Sequence, residues 1–323
     1  MDGTPRLLGT SGLSVGPLGL GCWPLAGMTR TGITPETARD TVAAALDAGI
    51  LHLDTAYCYG AEGESERAIA SAIAGRRDGV FLAGKCGIHW EPGRKQCVDG
   101  HPERLRLEVS ESLRRLGTDR LDLLYLHAPD PKVPLAESMG ALRRLREEGL
   151  ARCVGVSNVG LEQLREAHAA AGIAAVQLPY NMLQREIERE IVPWCRVNDV
   201  AVVAYWPLMK GLLAGTMARD RVFPDSDSRH KYPMFSGEEF QRNLDFVEVV
   251  RGEAARLGCA VADVVLAWTA EQPGITSVLF GATDPDQVRT NAAALACTLD
   301  DAARRAIRDG IAARGPVAGR RAV

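Results

Sequence analysis

Four residues of types that can move or hold a proton stand at the ends of short apolar runs, or in the turns that follow, in the first half of the chain. They are Asp54, Tyr59, Lys85 and His127. A free tyrosine has a pKa of about 10, too high for efficient acid–base work near neutrality. A nearby ammonium stabilises phenolate, so we expect Lys85, kept charged and aimed by Asp54, to lower the pKa of Tyr59.

This set of residues matches the needs of carbonyl chemistry. Tyr59 would donate a proton to a carbonyl oxygen, and His127 would hydrogen-bond and orient the same oxygen. A lone lysine or histidine after a strand is more often a solvated or structural residue, so each signal alone is weak. Their joint occurrence after three consecutive strands supports the hypothesis, which also requires a partner that delivers hydride.

The order of elements predicts how these residues meet. Short apolar runs alternate with helical patterns, and the predicted strands are 18–21, 50–53, 80–83, 121–126, 151–156, 175–178, 200–205 and 277–280. Parallel strands covered on both faces read as apolar runs rather than alternating ones, as here. Eight strand–helix units without a polar linker predict an α/β fold, one (β/α)8 barrel over residues 1–323. Such a barrel gathers the C-terminal ends of its strands at one mouth.

The remaining segments complete this prediction. Residues 6–16, around Gly9-Thr10-Ser11-Gly12, predict a hairpin able to plug the bottom of the barrel. The predicted helices are 34–46, 65–74, 102–116, 135–148, 161–171, 186–197, 238–257, 262–272 and 285–295, with extra helices near the C-terminus. A long loop covers 210–236, and we expect the tail 314–323 to be loosely ordered.

Composition limits the partners. The chain has 323 residues, 46% of them hydrophobic, and a net charge of −3, so no strong field favours nucleic acid or a membrane. Its eight cysteines include no C-x-x-C pair, so no metal site is predicted, and scattered thiols suit a reduced cytoplasm. We see no signal peptide and no apolar run long enough to span a bilayer. We expect a cytoplasmic protein acting on a small molecule, with homo-oligomerisation left open.

A family resemblance rests on motifs that span nearly the whole chain. They are DTAYCYG at 54–60, GKCG at 84–87, LYLHAPD at 124–130, GVSN at 155–158, VQLPYN at 176–181, AYWPL at 204–208 and FGATDPDQVRTN at 280–291. In this order they resemble the aldo-keto reductase superfamily, near its bacterial branch related to potassium-channel β-subunits. The resemblance implies a barrel that binds a nicotinamide dinucleotide without a Rossmann motif, and a catalytic tetrad of Asp54, Tyr59, Lys85 and His127.

The resemblance also implies a cofactor site. Ser157, Asn158 and Gln177 match residues that bond the nicotinamide carboxamide, and Tyr205 matches the aromatic that stacks on its ring. The other implied contacts are Cys22, Trp23, Asp54, Trp206, Pro207, Leu208, Lys210, Gly211, Arg229, Gly281, Thr283, Gln287 and Asn291. The cofactor implied is NADP(H). NAD(H) is possible, because Gly281, Ala282 and Gln287 stand where many relatives place cations for the 2′-phosphate. Trp206 replaces a usual serine, and Thr290 a common glutamate.

Substrate contacts are expected from loops, namely Trp23, Tyr57, His89 and Trp90 together with His127. Trp90 could equally pack its own loop down. The predicted activity is NAD(P)H-dependent reduction of an aldehyde or ketone to an alcohol. Two alternatives stay open. One is an NAD(P)+-linked sugar or alcohol dehydrogenase. The other is a nucleotide-sensing binding subunit with negligible turnover, against which the intact tetrad counts.

Overall fold

The computed structural model describes residues 3–28, 32–93, 95–224, 227–315 and 317, and its centre is a closed barrel of eight parallel strands. In chain order these are β1 (Leu18–Gly21), β2 (His52–Asp54), β3 (Phe81–Cys86), β4 (Leu121–Leu126), β5 (Ala151–Ser157), β6 (Ala175–Pro179), β7 (Ala201–Tyr205) and β8 (Ile275–Gly281). Each strand pairs with the next, and β8 pairs with β1. The predicted (β/α)8 barrel is confirmed.

The strand bounds differ from the prediction where it matters for the site. β2 begins at His52 rather than at residue 50, and β3 runs on to Cys86, so Lys85 lies inside a strand and not after it. Lys85 pairs in register with Tyr125 of β4. A buried lysine inside a strand breaks the apolar run, which is why the sequence pattern ended this strand too early.

Helices α1 to α10 surround the strands. They are α1 (Pro35–Asp47), α2 (Glu64–Ile73), α3 (Pro102–Leu116), α4 (Leu135–Glu147), α5 (Leu161–Ala171), α6 (Ile191–Val197), α7 (Gly237–Leu257), α8 (Val261–Glu271), α9 (Pro285–Ala292) and α10 (Asp301–Arg314). A continuous helix over 186–197 is wrong: a 3-10 turn (Glu186–Glu188) precedes α6. Pro193 explains the break, because its ring excludes the carbonyl four residues earlier from helical geometry.

The N-terminal hairpin pairs Arg6–Leu7 with Ser14–Val15, as predicted. Leu8, Leu13 and Val15 pack with barrel-interior residues near the starts of the strands, so the hairpin plugs that end. Gly9, at a φ of 54°, makes the close approach possible, since a Cβ there would lie 2.5 Å from the carbonyl oxygen of Ala174.

A second antiparallel pair, Ile88–Glu91 with Lys95–Val98, forms what we call the ribbon, between β3 and α3. The sequence indicated only a long polar loop here. The main core lies between barrel and helices, and a small cluster at the mouth holds Tyr59 with Trp23 and Trp90.

The C-terminal part carries the extra helices, α7 and α10, which pack against each other. The predicted loose tail falls largely on 316 and 318–323, outside the described residues; Arg314, at its start, is buried at the end of α10 and paired with Glu239. Within the described ranges, no helix is both long and apolar enough to cross a bilayer.

Candidate active site

The structure brings the four predicted catalytic residues together at the mouth of the barrel. The Lys85 ammonium lies among three acceptors: it pairs with a carboxylate oxygen of Asp54, donates to the carbonyl oxygen of Thr55 at 3.0 Å, and lies 3.2 Å from the hydroxyl oxygen of Tyr59. Asp54 and Lys85 are fully buried, and Tyr59 is nearly so. A buried charge must be paired and hydrogen-bonded, and this ammonium is.

The pKa of Tyr59 is raised overall, although we expect the nearby Lys85 by itself to lower it. Burial, and after it the charge of Asp54, raise the pKa of this phenol well above its ordinary value. Loss of solvation therefore outweighs the effect of the Lys85 ammonium, which lies 3.2 Å from the phenol oxygen. Tyr59 therefore stays protonated near neutral pH, which is the form that can donate a proton.

His127 follows β4 and faces Tyr59, with the two ring centroids 5.9 Å apart. Its Nδ1 lies 3.6 Å from the Cys58 sulfur. Desolvation, and then the charge of Lys85, lower the pKa of the His127 imidazole from its usual 6.5 to about 3. The ring is therefore neutral at physiological pH, so it can orient a carbonyl oxygen by a hydrogen bond but brings no positive charge.

The residues expected at the nicotinamide form one hydrogen-bonded network on the neighbouring strand ends. Gln177 donates from Nε2 to the second oxygen of Asp54 at 2.7 Å, and the Ser157 hydroxyl donates to the Gln177 carbonyl at 2.9 Å. Asn158, at a φ of 59°, donates to the His127 carbonyl oxygen at 2.9 Å and accepts from the Tyr205 hydroxyl at 2.8 Å. Tyr205 thus holds a flat ring at the mouth, beside the amide side chains.

After β7 the chain adopts a strained course. Trp206, Met209 and Lys210 all have positive φ, and Gly211 follows at 89°. The Lys210 ammonium lies 4.9 Å from the Trp206 ring centroid and 5.1 Å from that of Tyr232. Burial, and then the neighbouring Arg229, lower the pKa of this lysine. Non-glycine residues in this backbone region cluster at functional sites, which supports the predicted cofactor loop.

Other predicted cofactor residues are engaged locally. Arg229 is paired with Asp227 at 2.6 Å, two residues before it. Pro207 is buried and Leu208 half-buried in the same loop, while Cys22 lies buried at the end of β1. The backbone N–H of Cys22 donates to the Asp54 carbonyl at 2.8 Å. Cys22 therefore holds the end of β2 in place through its backbone, and its buried thiol does not line the mouth.

The segment expected at the adenosine end lies at the start of α9. Asp284 caps this helix by accepting from the Gln287 N–H at 2.9 Å, and the Gln287 side chain donates back to Thr283 at 2.8 Å. Asn291 reaches the carbonyl of Gly281 at 3.4 Å. The four predicted residues of this segment are thus neighbours, and the side chains of Thr283, Gln287 and Asn291 bond within it.

The predicted substrate residues divide into two groups. The Trp23 ring lies 5.1 Å from that of Tyr59, and Trp90 donates from Nε1 to the Cys58 carbonyl at 2.9 Å, so both indoles line the mouth. Tyr57 instead donates its hydroxyl to Glu111 of α3 at 2.8 Å. His89 lies 3.5 Å from Glu108 of α3, and burial, followed by Arg104, lowers its pKa.

Sequence reasoning missed three neighbours of the site. The Thr55 carbonyl holds Lys85, Tyr232 closes over Lys210, and Asp227 neutralises Arg229. The pairing of Asp227 with Arg229 could have been predicted from the sequence DSR at 227–229, because an aspartate two residues before an arginine can pair with it locally. Backbone acceptors such as Thr55 leave no signal in side-chain types.

Comparison with known proteins supports the family resemblance seen in the sequence motifs. Residues 17–310 match the family model described as "Aldo/keto reductase family". The chain is 36% identical over 283 residues to Aldo-keto reductase YhdN of Bacillus subtilis (strain 168), an alignment covering 86% of this chain and 84% of that protein. It is 35% identical over 310 residues to the NADH-specific methylglyoxal reductase of Escherichia coli (strain K12), covering 91% of this chain and 94% of that one.

Solved structures with a similar fold support the same family resemblance. The glycerol dehydrogenase AKR11B4 from Gluconobacter oxydans superposes with a TM-score of 0.89 at 34% identity, covering 97% of this chain and 96% of that one. The holo form of the aldo-keto reductase AKR11C1 from Bacillus halodurans superposes with a TM-score of 0.78 at 28% identity, covering 99% of this chain and 97% of that one.

Proposed function

The chain belongs to the aldo/keto reductase family, and from this premise we propose that it reduces an aldehyde or ketone to an alcohol with a nicotinamide cofactor. One observation supports the proposal above the others. A buried ammonium, Lys85, contacts both a carboxylate and a protonated phenol at the barrel mouth, and a neutral imidazole faces that phenol. A structural ion pair would not need the phenol or the imidazole.

Each residue has a role in the proposed reaction. A nicotinamide dinucleotide, when bound, would supply the hydride for the carbonyl carbon. Tyr59 gives its proton to the carbonyl oxygen, and the phenolate that results lies 3.2 Å from the Lys85 ammonium, which stabilises it until a proton returns. Asp54 and the Thr55 carbonyl hold Lys85 in place. His127, neutral because of its lowered pKa, orients the carbonyl oxygen.

The residues present fit a nicotinamide group. Gln177 and Asn158 place amide groups at adjoining strand ends, and Tyr205 sets an aromatic face between them and Trp206. An amide pair with a flat ring is what recognition of a carboxamide on an aromatic ring requires. Lys210 and Arg229, on the loop after β7, would hold the dinucleotide's pyrophosphate.

For the adenosine end we propose that NADH serves at least as well as NADPH, which revises the expectation of NADP(H). Gln287 is neutral, Asp284 and Asp286 put carboxylates at the start of α9, and Arg289 is paired with Asp286. A 2′-phosphate would meet acidic groups here. We expect similar or lower KM for NADH, and Gln287→Arg should shift the kcat/KM ratio toward NADPH. A wild-type preference for NADPH of tenfold or more would contradict this proposal.

The decisive test is Tyr59→Phe, assayed by NADH and NADPH oxidation with methylglyoxal and other small aldehydes. We expect turnover to fall by about 10²–10⁴-fold, since general acid catalysis typically contributes that much. Dinucleotide affinity, measured by quenching of tryptophan fluorescence, should change little. Tyr57→Phe is the matched control, because that hydroxyl is donated to Glu111, and it should keep its turnover.

Direction and turnover separate the alternatives. The structural relative named a glycerol dehydrogenase favours testing oxidation, so glycerol with NAD(P)+ is compared with methylglyoxal reduction across pH. Oxidation faster than reduction at every pH tested would identify a dehydrogenase. Tight dinucleotide binding with no turnover on any carbonyl or alcohol would instead identify a binding subunit.

A further inference from the structure

The ribbon has two faces with different character, because side chains alternate along a strand. Ile88, Trp90 and Val98 pack into the cluster at the mouth, beside Tyr59. His89, Glu91 and Cys97 therefore lie on the opposite face. His89 pairs in register with Cys97, so their side chains stand next to each other across the two strands. The proposed reaction uses none of these three.

These three side chains form a ligand cluster. One atom from each, a ring nitrogen of His89, a carboxylate oxygen of Glu91 and the Cys97 sulfur, lies within 4.8 Å of the other two. Zinc–ligand bonds of about 2.0–2.3 Å place ligand atoms about 3.5 Å apart in a tetrahedral site. Closing the cluster around an ion therefore needs side-chain shifts of about 1 Å, and Glu91 is exposed and can turn.

The ring of His89 lies beside a buried carboxylate. Its Nδ1 is buried and has no hydrogen-bond partner among the described residues. The closest carboxylate, Glu108 of α3, is 3.5 Å away and fully buried, and it is already held by Arg104 at 2.9 Å and by the Gly87 N–H at 2.6 Å. Metal-bound histidines usually have such a carboxylate beside the ring.

A neighbouring cluster of possible metal ligands is explained without a metal ion. Asp99, His101 and Asp130 also lie close together, but their oxygens are used by the backbone. Asp130 accepts from the Gly100 and Lys132 N–H groups, and Asp99 accepts from both the backbone and the ring of His101. Capping and turn formation account fully for that group, whereas in the described part of the chain Cys97 donates to the Val98 carbonyl at 3.5 Å and His89 Nδ1 makes no hydrogen bond.

We propose that His89, Glu91 and Cys97 bind one Zn²⁺ on the face of the ribbon opposite the cluster at the mouth. A thiolate, an imidazole and a carboxylate are the ligand types of zinc, whereas Mg²⁺ and Ca²⁺ prefer oxygen alone. The two anionic ligands balance the charge of the ion. Three protein ligands leave one position for water. The ion would fix the strand whose other face presents Trp90 to the mouth.

The test uses the full-length chain, stripped with a chelator and titrated with Co²⁺ as a spectroscopic probe and then with Zn²⁺. We expect one equivalent of Co²⁺ to give a thiolate charge-transfer band that Zn²⁺ abolishes. Cys97→Ser should remove the band, and His89→Gln should weaken Co²⁺ binding at least tenfold. Cys259→Ser and His101→Gln are matched controls, since Cys259 is the other half-buried thiol and His101 belongs to the neighbouring cluster.

Metal-free melting curves of the variants show whether each one is folded. Three results would overturn the proposal. They are no thiolate band with the wild type, a band that survives in folded Cys97→Ser, or a band lost in either control. None of these results bears on the carbonyl chemistry at Tyr59, so the two proposals fail separately.

Discussion

Two regions that flank the mouth are built in opposite ways. We call Asp54 on β2, Lys85 on β3 and Gln177 on β6 the floor. We call Trp206, Lys210, Arg229 and Tyr232, on the loop after β7, the strap. In the floor every side chain is buried and bonded across strands. In the strap the side chains are half-buried, the backbone is left-handed at Lys210, and Arg229 is paired with Asp227 two residues away.

This difference indicates which of the two regions is already organised before a cofactor binds. The floor is held by eight strands, so its distances are set by the fold and cost nothing to organise at the moment of reaction. The strap is satisfied by local partners. If it binds the dinucleotide as we propose, the cofactor would have to take Arg229 from Asp227 and Lys210 from its two aromatic rings. Substitutions in the floor should therefore cost stability and turnover together, and substitutions in the strap should cost binding alone.

The largest effect is expected for Lys85→Met, in the floor. It leaves the Asp54 carboxylate buried without its cation, which costs about 3–5 kcal/mol of unfolding free energy. Turnover should fall by about a hundredfold or more, because the phenolate of Tyr59 loses its stabilising charge. Urea unfolding and steady-state assays measure both.

The double variant Asp54→Asn/Lys85→Met separates the two losses. Removing the lone charge should restore part of the stability and none of the turnover. The exposed Lys132→Met is the control and should change neither. Recovered turnover in the double variant would show that the ion pair only supports the fold.

A second, smaller effect concerns pH and His52, which lies at the start of β2, fully buried, 3.1 Å from the Ser277 hydroxyl. Burial lowers its pKa from 6.5 to about 4. Between these two pH values His52 is protonated in the unfolded chain but neutral in the folded chain. Its contribution to the free energy of unfolding is therefore complete above pH 6.5 and is lost as pH falls toward 4.

Between pH 7 and pH 5 this histidine should cost about 2 kcal/mol of unfolding free energy. Urea unfolding at several pH values should show a flatter slope for His52→Gln than for the wild type. The exposed His101→Gln is the control of opposite sign, because Asp99 raises the pKa of His101. An unchanged slope in His52→Gln would mean that His52 is not the titrating group.

The smallest effect is expected for Lys210→Met, in the strap. Losing one charge-assisted contact to the pyrophosphate should weaken dinucleotide binding by about tenfold, with unfolding free energy nearly unchanged. Fluorescence titration at low and moderate salt measures the loss. Lys231→Met, exposed on the same loop, is the matched control. A fall in turnover without a fall in affinity would place Lys210 with the floor instead.

Much of the architecture could be predicted because its signals are local. The apolar runs predicted all eight barrel strands, and the turn residues Gly9 to Gly12 predicted the hairpin. The ribbon was missed, since its two strands of four residues alternate polar with apolar side chains only briefly. The break before α6 was missed although Pro193 marks it.

For the candidate active site, the sequence predicted which residues meet but not their protonation. Strand ends and the family resemblance indicated Asp54, Tyr59, Lys85 and His127, and the structure brings these four together. The direction of the Tyr59 pKa could not be predicted, because it depends on how deeply the ring is buried and on how close the Asp54 carboxylate lies. Tyr57 has the same side chain only two positions away, yet its hydroxyl turns to Glu111.

The sequence by itself determined the order of elements and the residue types at the strand ends, because hydrophobic periodicity is a property of neighbours along the chain. Tertiary structure alone decided the partners and protonation of those residues, from Lys85 held among three acceptors to His89 placed beside Cys97. Desolvation and charge pairing depend on distances between groups far apart in sequence, and only closure of the barrel sets those distances.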